Sequence, residues 1–299
     1  MNYVIRFMRG LSDSIFKIRN KVRRKIFSKS IFSGFDNVSD SESTFYVETV
    51  SHIINNPKSF KKFRRNFDYR EILEHVDYKL GLQYFNLGLE KHADFLKILE
   101  KSRRIDMIGN PLKYRYKKIG LISPTLIRYA YVMSELMNFF DFDKIKTISE
   151  IGTGYGGQSA VIQSLYKVKC YTIYDLPEVC LLTQNFLSSI NPKFTSRIGN
   201  LTDTQDEHCD LLISNYAFSE LPKLIQKTYL ENVISKGKRG YMIMNSGRTN
   251  YTGRSVGKMS LSEIGQYLPN LKVLEELPRT SPDNYVIVWD STKSGYKNA

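Results

Sequence analysis

The chain has 299 residues, with 44 Lys and Arg against 30 Asp and Glu, a formal charge of +14 and an apolar share of 41%. That length fits about two domains at ~100–200 residues each, and that apolar share excludes a disordered or low-complexity chain. No uncharged apolar run nears the ~20 residues that cross a bilayer, Arg6, Arg9 and Asp13 break any secretory signal core, and the scattered Cys170, Cys180 and Cys209 form neither a disulfide framework nor a Cys-x-x-Cys site, so a cytoplasmic protein is expected.

Residues 1–33 read as a basic amphipathic helix. Val4, Met8, Leu11, Ile15, Ile18 and Val22 recur at spacings of four and three, an apolar stripe on one helical face. Nine basic side chains surround it within residues 1–30, with Asp13 as the one acid. Such a helix fits an anionic membrane surface, here the inner face of the cytoplasmic membrane. It fits equally a docked helix on a protein core. Residues 34–140 form a helical region, the expected substrate cap, opening with a polar connector at 34–43. A helix enters at Ser41 or Ser43 and stops before Pro57; others lie near 70–77 and 84–103. Residues 109–123 read as a loop. Ser123-Pro124 starts a helix to about Phe140, with Ser as N-cap and Pro at the first helical position. Residues 1–140 hold a net +12, against +2 for 141–299, so the two parts should do different work.

Over 141–299 short apolar strands alternate with helices. Strands are expected at 147–151, 169–174, 194–198, 210–215, 239–244, 271–276 and 284–289. Helices are expected at 156–166, 177–189, 221–235 and 260–268. That alternation implies an α/β, doubly wound, mainly parallel sheet. The short turn from Pro278 to Asn284 suggests that the last strand runs antiparallel.

The first strand closes into Glu150-Ile151-Gly152-Thr153-Gly154-Tyr155-Gly156-Gly157, which opens the first helix. Glycines here allow a tight turn and a close backbone approach to a ligand. Asp175 ends the next strand, placed to accept from both ribose hydroxyls of a nucleoside cofactor; it could instead cap the helix that follows. Gly152, Gly154 and Gly157 satisfy G-x-G-x-x-G, so a nicotinamide dinucleotide is one candidate. S-adenosylmethionine is the other. It is favoured by the acid Glu150 two residues before the first glycine, the long helical lead-in, the short final turn, and the polar run Asn215-Tyr216-Ala217-Phe218-Ser219-Glu220 at the end of the fourth strand.

These motifs resemble the sugar O-methyltransferase family. The resemblance is carried by Gly109-Asn110-Pro111, Ser123 to Tyr129, Glu150 to Gln158, Tyr174-Asp175-Leu176-Pro177-Glu178-Val179, Ser214 to Glu220, Glu276 to Thr280 and Asn284 to Trp289, over about residues 60–290. It implies a seven-stranded, Rossmann-like class I methyltransferase sheet with a helical N-terminal extension. It also implies methylation of a sugar hydroxyl in surface glycan or polysaccharide biosynthesis. The basic segment 1–33 lies outside it.

Methyl transfer is an in-line displacement, so the protein must hold the acceptor oxygen opposite the methyl group and assist its deprotonation. Glu220, just past the fourth strand, is the first candidate base; its alternative role is to stabilise the helix start near Pro222. His75 is the second candidate base, or a structural histidine. Asn215 would position the cofactor or acceptor, with Glu150, Gly152, Gly154, Gly156, Gly157 and Asp175. Asn200 would contact the adenine or shape a turn. Arg128 (a bidentate anion fork or a surface charge), Tyr216, Glu276 and Asn284 are the acceptor-binding candidates. No metal is expected. The acceptor is a sugar or glycan, free, nucleotide-linked or lipid-linked. The basic half leaves an RNA methyltransferase as a rival, but Asn-Tyr-Ala-Phe is not the Asn-Pro-Pro-Tyr type used on base amines and no RNA-binding module is legible, so no nucleic acid is expected. A non-catalytic scaffold retaining the fold is the remaining rival.

Overall fold

The computed structural model describes residues 44–73, 76–201, 208–245 and 258–292. The basic segment 1–33, the connector 34–43 and His75 lie outside the described residues. The chain divides into two compact units, 1–38 and 39–299, and every element named below belongs to the second.

Among the described residues five α-helices come first: α1 (Thr44–Asn55), α2 (Pro57–Phe60), α3 (Phe67–Leu73), α4 (Tyr78–Lys91) and α5 (Phe95–Ser102). The helix α1 buries Tyr46, Val50 and Ile53, at four-three spacing, and stops before Pro57, because the residue preceding a proline is pushed out of helical space. Asn56 then caps α2, accepting from the Lys58 and Ser59 amides at 3.0 and 3.1 Å. The single helix expected near 84–103 is two. Asp77 starts α4 earlier by accepting from Leu80 N at 2.7 Å, and His92 leaves helical geometry. The bare face of Gly88 lets the Phe95 ring fold back: a Cβ there would sit 2.5 Å from that ring. The loop expected over 109–123 contains a small hairpin, β1 (Tyr114–Tyr116) and β2 (Gly120–Ile122), turned through positive φ at Lys118 and Gly120. Strands of three residues are too short for alternation to reveal.

The helix α6 (Pro124–Phe139) begins as expected, with Ser123 Oγ accepting from Leu126 N at 3.2 Å. It is buried nearly all round, as befits a helix inside the fold. The remaining elements are β3 (Thr147–Ile151), α7 (Gly157–Leu165), β4 (Cys170–Tyr174), α8 (Pro177–Ile190), β5 (Arg197–Ile198), β6 (Leu211–Asn215), α9 (Ala217–Glu220), α10 (Lys223–Asn232), β7 (Arg239–Met244), α11 (Leu261–Gly265), β8 (Lys272–Glu275) and β9 (Tyr285–Asp290). The seven strands from β3 onward form one sheet in the order β5-β4-β3-β6-β7-β9-β8. All pairings are parallel except those of β9, which runs antiparallel to β7 and β8. This is the seven-stranded sheet, with its last strand antiparallel, that the resemblance implied.

Strand side chains alternate between faces, and the two faces carry separate cores. Ile148, Tyr171, Ile173, Leu211, Ile213, Tyr241 and Ile243 join the core built with α1 and α4 to α8. Ile151, Tyr174, Leu212, Met242 and Trp289 join the core under α10 and α11. The N-terminal helices therefore share one core with the sheet: α1 packs on α8, α4 on α6, and α6 on α7. The strand order reverses at β3, with β4 on one side and β6 on the other. Open α/β sheets bind ligands in the crevice at the carboxyl ends of such strands. No helix among the described residues is long and apolar enough to cross a membrane.

Candidate active site

The turn after β3 takes positive φ at Gly152 (76°), Gly154 (55°) and Gly156 (87°), a backbone path that L side chains resist. A Cβ on Gly152 would lie 1.9 Å from the Cβ of Ala217, so the segment after β6 closes directly over the turn. A Cβ on Gly157 would strike the Tyr129 ring at 2.2 Å, which brings α6 against the start of α7. Thr183 of α8 braces the turn from below, with Oγ1 2.8 Å from Gly154 O.

Tyr155 ties the turn to the N-terminal helices. Its ring is buried edge-on against Phe186 at 4.8 Å and Phe63 at 5.8 Å, and the Arg64 guanidinium lies 4.8 Å over it. Arg64 is itself fully buried, donating to Asp106 Oδ1 at 3.2 Å, Ser123 Oγ at 3.2 Å and Ile105 O at 3.3 Å. Asp106 also accepts from Ser123 N at 2.6 Å, so the same carboxylate holds Arg64 and the entry to α6. The sequence patch 58–65 thus contains a buried structural cation, which nothing in its local pattern distinguishes from its exposed neighbours.

Asp175 stands at the end of β4 with its carboxylate on the glycine turn: Oδ2 accepts from Gly154 N at 3.1 Å and Oδ1 from Leu176 N at 2.8 Å. Burial raises its pKa to about 6, against the pull of those amides, so it is ionised at neutral pH. Asn215 ends β6, two strands away, and its Oδ1 is buried without a hydrogen-bond partner. An orphaned buried acceptor at this edge calls for a donor from a bound molecule. Glu150 faces elsewhere. It is 2% exposed, accepts from Tyr171 Oη at 2.6 Å, and burial raises its pKa to about 8. It is a protonated acid holding β3 to β4. Asn200 is exposed beyond β5.

The acceptor candidates come together. Arg128, 7% exposed on α6, lays its guanidinium 5.0 Å from the centre of the Tyr216 ring, with its Nε unpartnered; it is no surface charge. Tyr216, at φ 71°, donates through its hydroxyl to Glu276. Glu276 also accepts from Thr280 N at 3.0 Å and Thr280 Oγ1 at 2.8 Å. Asn284 Nδ2 reaches Thr280 Oγ1 at 3.1 Å and Asn245 Oδ1 at 3.5 Å, and Asn245 Nδ2 donates to Glu220 Oε1 at 3.0 Å. A continuous polar chain therefore runs from Arg128 to Glu220 across the ends of β6 and β7. Glu220 closes α9 and precedes α10, which starts at Lys223.

Sequence reasoning missed Glu135, further along α6 from Arg128 and Tyr131. It accepts from Tyr241 Oη and, at 3.4 Å, from Tyr131 Oη; burial lifts its pKa to about 7. It also missed Asn245 and Thr280, which link Glu220 and Glu276 through Asn284. Spacings of three, four and seven on a helix would have grouped Arg128, Tyr131 and Glu135, but not shown that a strand tyrosine completes the group. Among the described residues no cluster of His, Cys, Asp and Glu could hold a metal ion.

Residues 127–219 match a family model described as an O-methyltransferase domain. The match runs from α6 through the glycine turn to α9, the elements that build this edge. No curated protein matches the chain. Among solved structures, the chain is similar to Thermoplasma acidophilum 1320, at 12% identity over 64% of this chain and 95% of that one, with a TM-score of 0.40. It is similar to PigF with S-adenosylhomocysteine, at 15% identity over 53% and 60%, TM-score 0.40. It is also similar to NcsB1, an O-methyltransferase from neocarzinostatin biosynthesis in complex with S-adenosylhomocysteine, at 14% identity over 55% and 56%, TM-score 0.38. The chain thus spans little more than half of the last two. The bare glycines of the turn, the Asp175 carboxylate and the orphaned Asn215 Oδ1 fit a nucleoside-bearing cofactor. Of the two cofactors that the glycine pattern alone allows, S-adenosylmethionine is the one that accords with this match: residues 127–219 form an O-methyltransferase-like domain.

Proposed function

We propose that the protein transfers a methyl group from S-adenosylmethionine to a sugar hydroxyl, in the making of a surface glycan. The carrying observation is the polar chain Arg128–Tyr216–Glu276–Thr280–Asn284–Asn245–Glu220. It offers alternating donors and acceptors at the edge beside the glycine turn, which suits an acceptor bearing several hydroxyls.

When bound, the cofactor supplies an electrophilic methyl group on a cationic sulfur. The chain's residues do the rest. Gly152, Gly154, Gly156 and Gly157 leave room for close backbone approach, Asp175 accepts from ribose hydroxyls, and Asn215 fixes the ligand edge. Arg128, Tyr216, Glu276 and Asn284 orient the sugar, and Glu220 takes the hydroxyl proton and passes it to water. Positioning supplies most of the gain, because an oriented pair reacts as if at very high local concentration. A second reading of the base is favoured by one observation: Glu135, with its pKa pushed up to about 7, is poised for proton transfer at neutral pH. A cytoplasmic site of action, with residues 1–33 addressing the chain to the anionic inner membrane face, belongs to the same reading.

The test is incubation of the full chain with labelled methyl donor and three acceptor pools: nucleotide sugars, lipid-linked glycans and total RNA. A methyl ether on a sugar, located by mass spectrometry, is the expected product. Label confined to RNA bases would replace this reading with the RNA methyltransferase. Tight S-adenosylhomocysteine binding with no labelled sugar would exclude the sugar acceptor.

A further inference from the structure

The hairpin β1–β2 presents a face whose residues take no part in the polar chain from Arg128 to Glu220. Along β1 and its flanks, Lys113, Arg115 and Lys117 occur at every second position and so share one side of the ribbon. Leu121 pairs with Arg115 across the hairpin on that side and is 56% exposed. The opposite side is buried through Tyr116 and Ile122. Beside it lies a cleft of about 250 Å³, lined by Arg103, Arg104, Lys113, Met107, Leu121 and Ile122, with Asp106 at its base. Met107 is 75% exposed. Tyr78 and Tyr114, both exposed, pack ring to ring at 5.3 Å on the flank.

The charge here is uncompensated. Arg104, Lys113, Arg115, Lys117 and Lys118 have no side-chain ion pair or hydrogen bond among the described residues. The local acids are already engaged: Glu100 with Arg103 at 2.7 Å, Asp106 with Arg64 and Ser123, and Asp77 with the α4 amide of Leu80. Five free cations therefore surround two large exposed aliphatic side chains and a tyrosine pair. A soluble polyanion would use the cations and leave Met107 and Leu121 in water. A lipid surface uses both: phosphate headgroups meet the Lys and Arg heads, aliphatic tips enter the acyl boundary, and tyrosines sit at headgroup depth.

We propose that this hairpin face docks the protein on an anionic phospholipid bilayer, with Leu121 and Met107 as the inserting tips. The proposal does not depend on the sugar acceptor.

The experiment is sedimentation of the full chain with vesicles of phosphatidylcholine containing about one-third phosphatidylglycerol, at low salt. Wild type is expected to bind these and not pure phosphatidylcholine. The triple variant K113E/R115E/K117E should lose at least tenfold in partitioning, and M107S/L121S several-fold. Both should keep wild-type affinity for S-adenosylhomocysteine, which reports an intact fold. Leu121→Trp should show blue-shifted emission on the anionic vesicles and quenching by brominated lipid. Unchanged partitioning of the triple variant would overturn the proposal, by leaving residues 1–33 to account for all binding. An emission maximum of the Leu121→Trp variant that stays the same with and without vesicles would overturn insertion. Equal losses of the triple variant for RNA and vesicles, with M107S/L121S like wild type for both, would make the face a polyanion site and overturn it too.

Discussion

The two sides of the candidate site are built from different materials. The side proposed for the cofactor is made largely of backbone: three glycines at positive φ and one helix start within residues 152–157, with the side chains of Asp175 and Asn215 at two strand ends. The acceptor side is made of side chains gathered from α6, the end of β6, the end of β7 and the β8–β9 connection, separated by as many as 156 positions from Arg128 to Asn284. The glycines of such a site resist any side chain, because their backbone path and the neighbouring Ala217 and Tyr129 leave no room for one. A side-chain site can be retuned one residue at a time.

The largest effect should come from breaking the backbone side. Gly152→Val forces a branched side chain into positive φ and onto Ala217, so S-adenosylhomocysteine binding by calorimetry should fall at least a hundredfold, about 2.7 kcal/mol. Wild-type affinity in that variant would show that the ligand does not use this turn. Next is the base. Glu220→Gln should lower kcat by ~10²–10⁴ with cofactor affinity unchanged. If Glu135→Gln has that effect instead, and the wild-type rate rises through an apparent pKa of about 7, the proton goes to α6.

On the side-chain half, Tyr216→Phe removes one hydrogen bond to a carboxylate and little volume. It should cost roughly tenfold to a hundredfold in kcat/KM for the acceptor, the worth of a charge-assisted bond, and leave the cofactor Kd alone. Equal weakening of both ligands would mean that the two halves are one coupled site.

The smallest effect concerns a residue that stands outside both halves. Glu150 has its folded pKa raised to about 8 by burial, above the ordinary carboxylate value. Its contribution to stability is therefore full below about pH 4.5 and is lost progressively as pH rises to about 8, because the unfolded chain binds fewer protons across that window. Relative to wild type, Glu150→Gln should gain melting temperature across that window, ending a few degrees higher at pH 9. A higher melting temperature for wild type at pH 9 would return Glu150 to service as an ionised site residue.

Much of the sheet was legible because its signals are local. Strands β3 and β7 fall at the expected limits, 147–151 and 239–244, since buried parallel strands read as short apolar runs between turns. Ser123-Pro124 marked the start of α6 for the same reason. The hairpin at 114–122 was not legible, and neither was the break at His92, which depends on Phe95 packing over Gly88. Glu150 and Asp175 are both acids near the glycines, yet strand alternation sends one into the sheet–helix layer and places the other on the turn.

The sheet, the turn and the cofactor edge were therefore written in the chain itself, because backbone conformation and strand burial depend on short runs of adjacent residues. Folding in three dimensions was needed to make Arg128, Tyr216, Glu276, Asn284 and Glu220 one polar chain, to turn Arg64 into a buried brace for the glycine turn, and to leave Lys113, Arg115 and Lys117 free beside Leu121. Those outcomes depend on which distant side chains meet, and charge, burial and pKa follow from the meeting rather than from the residue.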